Sequence, residues 1–528
     1  MNSDKAPQKA KHGMLRATSS VGTATMSSRI LGLVRDVVFA RLIGASEAAD
    51  AFYVAFKLPN FFRRLFAEGA FNTAFVPVLS DYRNHREHSE VQNLVNRTFA
   101  ALTGVLLILT VLVVVFSPAV MAVYGMGFID EPKKFQLASD MLRITFPYLL
   151  LISLTGFAGS ILNSYDRFSV PAITPIFLNI SLISAALFAA PYFEEPVFAL
   201  AWGVLVAGVI QLLFQLPFLA SIHLLPRPVL GFKDPGVSRI FKLMIPAMFG
   251  VSVGQINLLL DTILATFLPG GSVSWLYYSD RLMELPLGVF GVAIATVALP
   301  NLSRQRFGEN PTAFGEMLLW SVRMVVLVGL PAAVALILLA EPMLTTLFQY
   351  GEMLSTDVAM ASYSLQAYAL GLLAFMLVKV LATGYFAQED TKNPVRIGIY
   401  AMVTNMVLNL VFVLLFHLLW QIGHVGLALA TSASACLNAA LLYRGLRRSE
   451  QMPSMCLLRP FFLQVVLGLA LMSLALVVGT SYWSTWTDWS AWHRIWRLAV
   501  LCLLGGGLYL FGLVVAGARP RDFQMRSA

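Results

Sequence analysis

The sequence predicts an all-α, polytopic transmembrane helical bundle of about fourteen spans, arranged as two six-helix halves followed by two extra C-terminal helices. Three observations predict it: the composition, the recurrence of membrane-length apolar runs, and an internal match at one fixed offset. Of 528 residues, 58% are hydrophobic and 12% charged, with a mean hydropathy of +0.74, a balance foreign to soluble globular chains. A helix needs roughly 20 apolar residues to cross a bilayer. Such runs recur near 14–43, 49–80, 92–119, 135–163, 169–193, 197–223, 237–268, 272–300, 314–339, 359–388, 391–417, 423–447, 458–480 and 494–517. No soluble domain has room to fold between them. The first two windows exceed one straight crossing and contain Gly and Pro, so bent or broken helices are expected there.

The formal charge of +9 and pI near 9.4 do not point to nucleic acid, because Lys and Arg are scattered through short loops rather than massed on one polar domain. Their placement reads as topology. With the basic N-terminus cytoplasmic, inside loops hold Arg83, Arg86, Arg167, Arg227, Lys233, Arg239, Lys242, Arg304, Arg306, Lys392, Arg396, Arg444, Arg447, Arg448, Arg459, Arg519, Arg521 and Arg526. Outside loops carry Glu194, Glu195, Glu352 and Asp357, and only Arg41, Lys133, Lys134, Arg494 and Arg497 break the pattern. About 22 cations against about five is a strong positive-inside signal, so both termini are expected in the cytoplasm. Lys5, Lys9, Lys11 and Arg16 precede an apolar stretch that polar residues interrupt and no cleavage motif follows, so it reads as a retained first span. Cys436, Cys456 and Cys502 have no metal-ligand or CxxC spacing and are expected to be free, buried thiols.

The segment Val76-Pro77-Val78-Leu79-Ser80 ends the second window and Leu299-Pro300-Asn301-Leu302-Ser303 the eighth, 223 positions later. The same offset relates Asp166 and Pro171 to Glu389 and Pro394, and Gly203 to Gly426. Three matches at one offset imply two related halves of like orientation, 1–223 and 224–447, an architecture that places a transported substrate between them. Residues 448–528 then hold two additional spans and a cytoplasmic tail.

The buried charges concentrate in three windows. The first reads Thr23, Thr25, Ser27, Ser28, Arg29, Gly32, Arg35, Asp36. A central Arg or Asp costs roughly 2.5–3.5 kcal/mol on insertion scales, so several together require a wet interior. At 100° per residue Arg29 and Asp36 share one face, and Ser28 and Arg35 the adjacent one. The bland alternative is an Arg–Asp pair that only locks helices. The second window has Asp50, Lys57, Pro59, Asn60, Arg63, Arg64 and Glu68. Pro59 removes a backbone donor and bends the helix, while Arg63 and Arg64 either line the interior or snorkel to the interface. The eighth contributes Ser274, Asp280, Arg281 and Glu284, with Ser274 and Arg281 on one face and Asp280 and Glu284 placed as an i,i+4 carboxylate pair. Arginine suits an anionic ligand because its planar fork binds phosphate oxygens bidentately and keeps its charge. Arg29, Arg35, Arg63 and Arg281 around one cavity would suit a diphosphate. Asp261, near Asn257, is either a cation site or a helix-locking hydrogen bond. No phosphate-binding loop, HExxH or Ser/His/Asp arrangement appears, so no catalytic residue is assigned and no ATP-driven pump is expected.

The runs Ser28-Arg29-Ile30-Leu31-Gly32-Leu33-Val34-Arg35-Asp36, Asp50-Ala51-Phe52 through Lys57-Leu58-Pro59-Asn60, Arg63-Arg64 through Ala67-Glu68-Gly69-Ala70-Phe71, and Tyr277-Tyr278-Ser279-Asp280-Arg281-Leu282-Met283-Glu284 closely resemble the MurJ (MviN) family of the MOP exporter superfamily. The similarity runs over essentially the whole chain, including Phe348-Gln349-Tyr350-Gly351. The resemblance implies a flippase that moves lipid II, the undecaprenyl-pyrophosphate precursor of peptidoglycan, across the bacterial inner membrane by alternating access. It implies cavity arginines at Arg29, Arg35, Arg63 and Arg281, an acidic residue at Asp50, and a tail groove on the last two helices. The candidate substrate-binding set is Ser28, Arg29, Arg35, Asp36, Asp50, Arg63, Glu68, Ser274, Asp280, Arg281 and Glu284. Lipid II and membrane lipids are the expected partners of a monomer. No cofactor is expected beyond a coupling cation such as sodium, with Asp261 as candidate and Asn405 and Asn409 as weaker ones.

The nearest rivals are another lipid-linked oligosaccharide flippase, which shares the pyrophosphate chemistry, and a multidrug or cation antiporter. A cationic drug calls for carboxylates and aromatics, which the arginine excess opposes. The last two helices carry no formal charge between 460 and 482, so they either serve the polyprenyl tail or merely pack on the core.

Overall fold

The structure, a computed structural model, describes residues 5–231, 234–306, 311–449, 452 and 459–519, without the side chains of 5–20, 67–70, 249–254, 305–306, 311 and 459. Lys233, Cys456, Arg521, Arg526 and the side chains of Lys5, Lys9, Lys11, Arg16, Glu68, Arg306 and Arg459 therefore lie outside the described residues. Every regular element among the described residues is helical. By contact the chain divides into two compact units, residues 1–267 and 268–528.

The first unit opens with α1 (Lys5–Ile43), a turn through Gly44 at φ 55°, and α2 (Glu47–Arg63), whose N-cap Ser46 accepts a hydrogen bond from Ala49 N at 3.2 Å. A π-helical segment (Arg64–Gly69) joins α2 to α3 (Ala70–His85). Then follow α4 (His88–Val115), α5 (Ser117–Tyr124), α6 (Pro132–Thr145), α7 (Tyr148–Ser164), α8 (Ser169–Ser184), α9 (Pro196–Ser221) and α10 (Pro235–Thr266). The expected break in the second window is a widened turn: it starts five residues after Pro59, which cannot donate to the ladder. There Asn60 Nδ2 turns back onto the Phe56 carbonyl at 3.0 Å. Edge-on and stacked aromatics fill the core, with Phe39 against Phe52 at 5.8 Å and Phe71 against Phe75 at 5.0 Å and Phe157 at 5.9 Å.

Ionic and hydrogen-bond ties hold α10 in this unit. Asp234 caps its N-terminus, accepting from Gly236 N and Val237 N, and pairs with Arg97 of α4. Arg239 donates to Asp81 of α3 at 2.9 Å and holds that carboxyl below the usual carboxylate range. At the other end Gly127 N donates to Thr266 Oγ1 at 3.0 Å, and a side chain at Gly127 would collide with the Thr266 backbone.

The second unit comprises α11 (Ser272–Pro286), a π-helical segment (Leu287–Gly291), α12 (Val292–Arg306), α13 (Pro311–Leu338), α14 (Ala340–Phe348), α15 (Ser355–Phe386), α16 (Lys392–Trp420), α17 (Gly423–Arg448), α18 (Arg459–Tyr482) and α19 (Ala491–Val515). Close helix approach relies on small residues. A Cβ on Gly512 of α19 would stand 2.7 Å from Gly468 Cα of α18, and Tyr509 OH donates to Leu327 O of α13 at 2.8 Å. The remaining faces of α18 and α19 are apolar and exposed, as at Leu474, Val478, Leu503 and Leu510.

The 223-residue offset recurs in the backbone. It separates the starts of α4 and α13, of α8 and α16, and of the π-helical segments Arg64–Gly69 and Leu287–Gly291. Asp166 and Glu389 are both left-handed at φ 61°. Each sits where a helix ends with a six-to-one bond, Arg167 N to Leu162 O at 2.9 Å and Asp390 N to Tyr385 O at 3.1 Å, a position that glycine usually takes.

Eleven helices among the described residues are long and apolar enough to span a membrane. The expected fourteen is reached only if α1, the α2–α3 rod and α10 cross as well, and these are the segments that carry the polar residues described next. Cys436 and Cys502 are free, as expected, but exposed rather than buried. In a chain whose surface is itself apolar, a thiol gains nothing by retreating inside.

Candidate functional site

Five helices of the first unit, α1, α2, α6, α8 and α10, carry its candidate residues and their partners. On α1, Arg35 and Asp36 are buried, at 5% and 2% exposure. Arg35 Nε and Nη2 donate to Asp36 Oδ1 at 3.0 and 2.7 Å, its Nη1 donates to Asn179 Oδ1 of α8 at 3.1 Å, and the guanidinium lies 5.7 Å over the Phe39 ring. Asn179 in turn donates to the Ser28 carbonyl at 3.0 Å. Nε and both terminal nitrogens of Arg35 are thus engaged inside the protein, and its tie to α8 runs through Asn179. Arg29 differs: it is exposed, with Ser28 beside it half-buried. A guanidinium on a polar stripe with no acceptor among the described residues is available to an external anion.

Asp50, on α2, is 1% exposed, and Lys134 of α6 lies 3.8 Å from it, itself 4% exposed, 3.7 Å from Glu131 and 4.5 Å over the Phe128 ring. Further along α2, Lys57 donates to Thr262 Oγ1 at 3.1 Å and Arg64 to Gln255 Oε1 at 3.4 Å. Each pair of positions is seven residues apart, Lys57 on α2 with Arg64 at the start of the π-helical segment and Gln255 with Thr262 on α10, so the two polar faces run in opposite directions. Arg63 is half-buried and donates through Nε to Asn60 Oδ1 at 3.2 Å, which sets the direction of its fork. Asp261, on the same helix as Thr262, has Asn257 Nδ2 at 3.5 Å. The side chain of Glu68 is outside the described residues.

In the second unit, α11 carries Ser274, which is buried, and Asp280 and Arg281, which are half-buried. Arg281 Nη1 approaches Glu284 Oε2 at 3.3 Å, Nη2 reaches Tyr277 OH at 3.5 Å, and the guanidinium stands 5.2 Å over the Tyr277 ring. Glu284 thus pairs with Arg281 at i,i+3. Asn409 Nδ2 donates to Asn405 Oδ1 at 2.9 Å and Asn405 Nδ2 to Thr431 Oγ1 at 3.4 Å, an amide ladder between α16 and α17. Among the described residues no group of three or more His, Cys, Asp or Glu is placed to hold a metal ion.

Sequence reasoning missed Lys134 and Asn179. Lys134 was visible only as an outside cation at odds with the topology pattern, and Asn179 only as an amide in an apolar window. Neither signal names its partner.

Comparison with known proteins gives the family. Residues 39–496 match the family described as lipid II flippase MurJ. A Vibrio cholerae protein named probable lipid II flippase MurJ is 48% identical over 97% of this chain and 98% of its own length, and one from Haemophilus influenzae, named likewise, is 46% identical over 95% and 100%. A Burkholderia cenocepacia protein named lipid II flippase MurJ is 40% identical over 97% and 99%. Among solved structures, lipid II flippase MurJ in an inward closed conformation aligns with a TM-score of 0.77 at 28% identity, over 94% of this chain and 98% of that one. An inward-facing multidrug transporter of the MOP superfamily aligns at 0.65 and 15% identity over 82% and 98%, a likeness of fold alone. Fold and site together define a multi-pass helical membrane protein of a transporter family, with charges paired inside its first unit. The family is MurJ, and this chain belongs to it.

Removing one partner of a buried ion pair leaves an uncompensated charge and costs about 3–5 kcal/mol. Lys134→Met is therefore expected to lower the melting temperature of the purified protein sharply, and adding Asp50→Asn to recover most of the loss. A Lys134→Met variant that melts with the wild type would show that Asp50 does not depend on this lysine.

Proposed function

We propose that this chain is a lipid II flippase, which carries the undecaprenyl-pyrophosphate-linked disaccharide-pentapeptide from the inner to the outer leaflet of the bacterial cytoplasmic membrane by alternating access. The observation that carries the reading is the 40–48% identity, over nearly the full chain, to relatives bearing that name. The physics supports it. A pyrophosphate cannot cross hydrocarbon unaided, whereas a polyprenyl tail can stay in lipid, so the protein must supply cationic donors to the head alone. Arg29, exposed on the polar stripe of α1, is the first of these donors. Arg63, oriented by Asn60, and Arg281, oriented by Glu284 and Tyr277, are assigned the same role. Asp36 and Asp50 act indirectly, through Arg35 and Lys134. The work is transport by a monomer, without a covalent step. In repeat terms the chain reads as 1–223, 224–447 and 448–528, supported by the recurrent offset of helix starts.

In cells depleted of the native protein, Arg29→Ala and Arg281→Ala should insert at normal abundance yet leave lipid II with its head on the cytoplasmic face, and Arg→Lys should rescue only partly for want of the bidentate fork. Wild-type transport in either Ala variant would remove that residue from the site. A coupling cation such as sodium is assigned to Asp261, so Asp261→Asn should abolish any sodium dependence of transport, and an unchanged sodium response would end that assignment. Both termini are placed in the cytoplasm: on a cysteine-free background, single cysteines near Glu194 and Asp357 should label from outside and those near Arg304 and Arg447 should not, and the reverse pattern would overturn this topology.

A further inference from the structure

Five of the nine tryptophans, Trp483, Trp486, Trp489, Trp492 and Trp496, fall within the short stretch that ends α18 and begins α19. Arg494 and Arg497, two of the cations at odds with the positive-inside pattern, lie among them. Arg494 is accounted for. It is 7% exposed and donates to the carbonyls of Thr345 at 3.2 Å, Gln349 at 3.3 Å and Thr487 at 2.7 Å, so it caps the end of α14.

Arg497 has no such employment. Its guanidinium carbon stands 3.4 Å from the ring centroid of Trp489, 5.4 Å from that of Trp496 and 5.6 Å from that of Trp483. Its Nε and Nη1 are sealed from solvent without a hydrogen-bond acceptor, as is Nε1 of Trp486, a residue 5% exposed. The nearest carboxylate in sequence, Asp488, is exposed and accepts from Thr487 Oγ1 at 3.4 Å. Stacking on indole satisfies the faces of a guanidinium but none of its in-plane N–H donors, and an unpaired donor away from water is costly. Arg497 is half-buried and Nη2 is not among its sealed atoms, so Nη2 is the donor through which an acceptor can approach.

We propose that Arg497 and its indoles form a binding site for the phosphodiester headgroup of an anionic glycerophospholipid, of the phosphatidylglycerol type. Four features select that ligand. The cluster lies between two membrane-length helices, at the depth where tryptophans mark the lipid headgroups, with Tyr482 and Trp492 exposed at 82% and 71% on its rim. A guanidinium held by its faces leaves its Nη2 donors for one charge-assisted hydrogen bond to a phosphate oxygen. The exposed apolar residues Leu474, Val478, Leu503 and Leu510 of the same two helices give acyl chains a surface to follow. A zwitterionic choline headgroup would bring a second cation to indole faces that Arg497 already covers. The site is separate from the arginines assigned to transport, and the inference stands or falls independently of the flippase reading.

The test is lipid retention by the full-length protein, read by native mass spectrometry from micelles doped with phosphatidylglycerol or phosphatidylcholine. Wild type should retain phosphatidylglycerol preferentially, and Arg497→Met, which keeps the aliphatic stem between the rings, should lose that preference by roughly tenfold, the effect of one charge-assisted contact, while phosphatidylcholine retention stays the same. Equal retention of phosphatidylglycerol by both proteins would overturn the proposal. So would competition by inorganic phosphate at the affinity of the lipid, or a loss confined to undecaprenyl pyrophosphate. Should the variant not fold, wild type alone decides: phosphatidylglycerol must raise its melting temperature more than phosphatidylcholine does, and equal shifts would refute the site.

Discussion

A charge placed among helices built for lipid must be matched, and the first unit is organised around that constraint. Arg35 is matched by Asp36 and by Asn179 of α8, and Asp50 by Lys134 of α6. Asp36 neutralises Arg35 from the same helix, whereas the Arg35–Asn179 and Asp50–Lys134 contacts join helices distant in sequence and so also fix which helices touch. Such pairs need not add stability over an apolar core. Their consequence is specificity, because any register that separates the partners leaves a bare charge inside.

Within that frame the arginines divide by how much of each fork is already used. Arg35 has its Nε and both terminal nitrogens engaged, Arg63 and Arg281 are steered by neighbouring side chains, and Arg29 is left exposed. In the proposed flippase reading the same division separates positioning from binding: a spent guanidinium shapes the site, and an unspent one can meet phosphate. α10 belongs to the same scheme. Its Thr262 and Gln255 receive Lys57 and Arg64, so the polar face of α2 is completed by a helix that the sequence repeat assigns to the second half.

Much of this was legible in the sequence, and the limits have physical reasons. Periodicity and composition expose spans because the bilayer enforces them residue by residue. The repeat was legible because Pro77 and Pro300, and Asp166 and Glu389, occupy backbone positions with narrow requirements; the two acids indeed adopt the same left-handed conformation. The π-helical segments were not, since a widened turn leaves no composition of its own beyond a nearby proline. Nor was the partner of Arg35, which lies 144 residues away on α8. Lys134, Arg494 and Arg497 were legible only as exceptions to charge placement, and all three are engaged in the structure by a carboxylate, by carbonyls or by indole rings. The Arg281–Glu284 pair at i,i+3 was not drawn from the sequence, because the spacing of Asp280 and Glu284 drew attention to the two carboxylates instead.

The central claim is that guanidinium groups held in this fold recognise a pyrophosphate head independently of the lipid tail. The most direct test is equilibrium binding of undecaprenyl pyrophosphate and of undecaprenol, which share a tail, to the purified chain. The account predicts that the pyrophosphate lipid binds at least about tenfold more tightly, as one retained charge-assisted contact requires, and that the difference shrinks as salt screens the exposed Arg29. Equal affinities at low salt would contradict it.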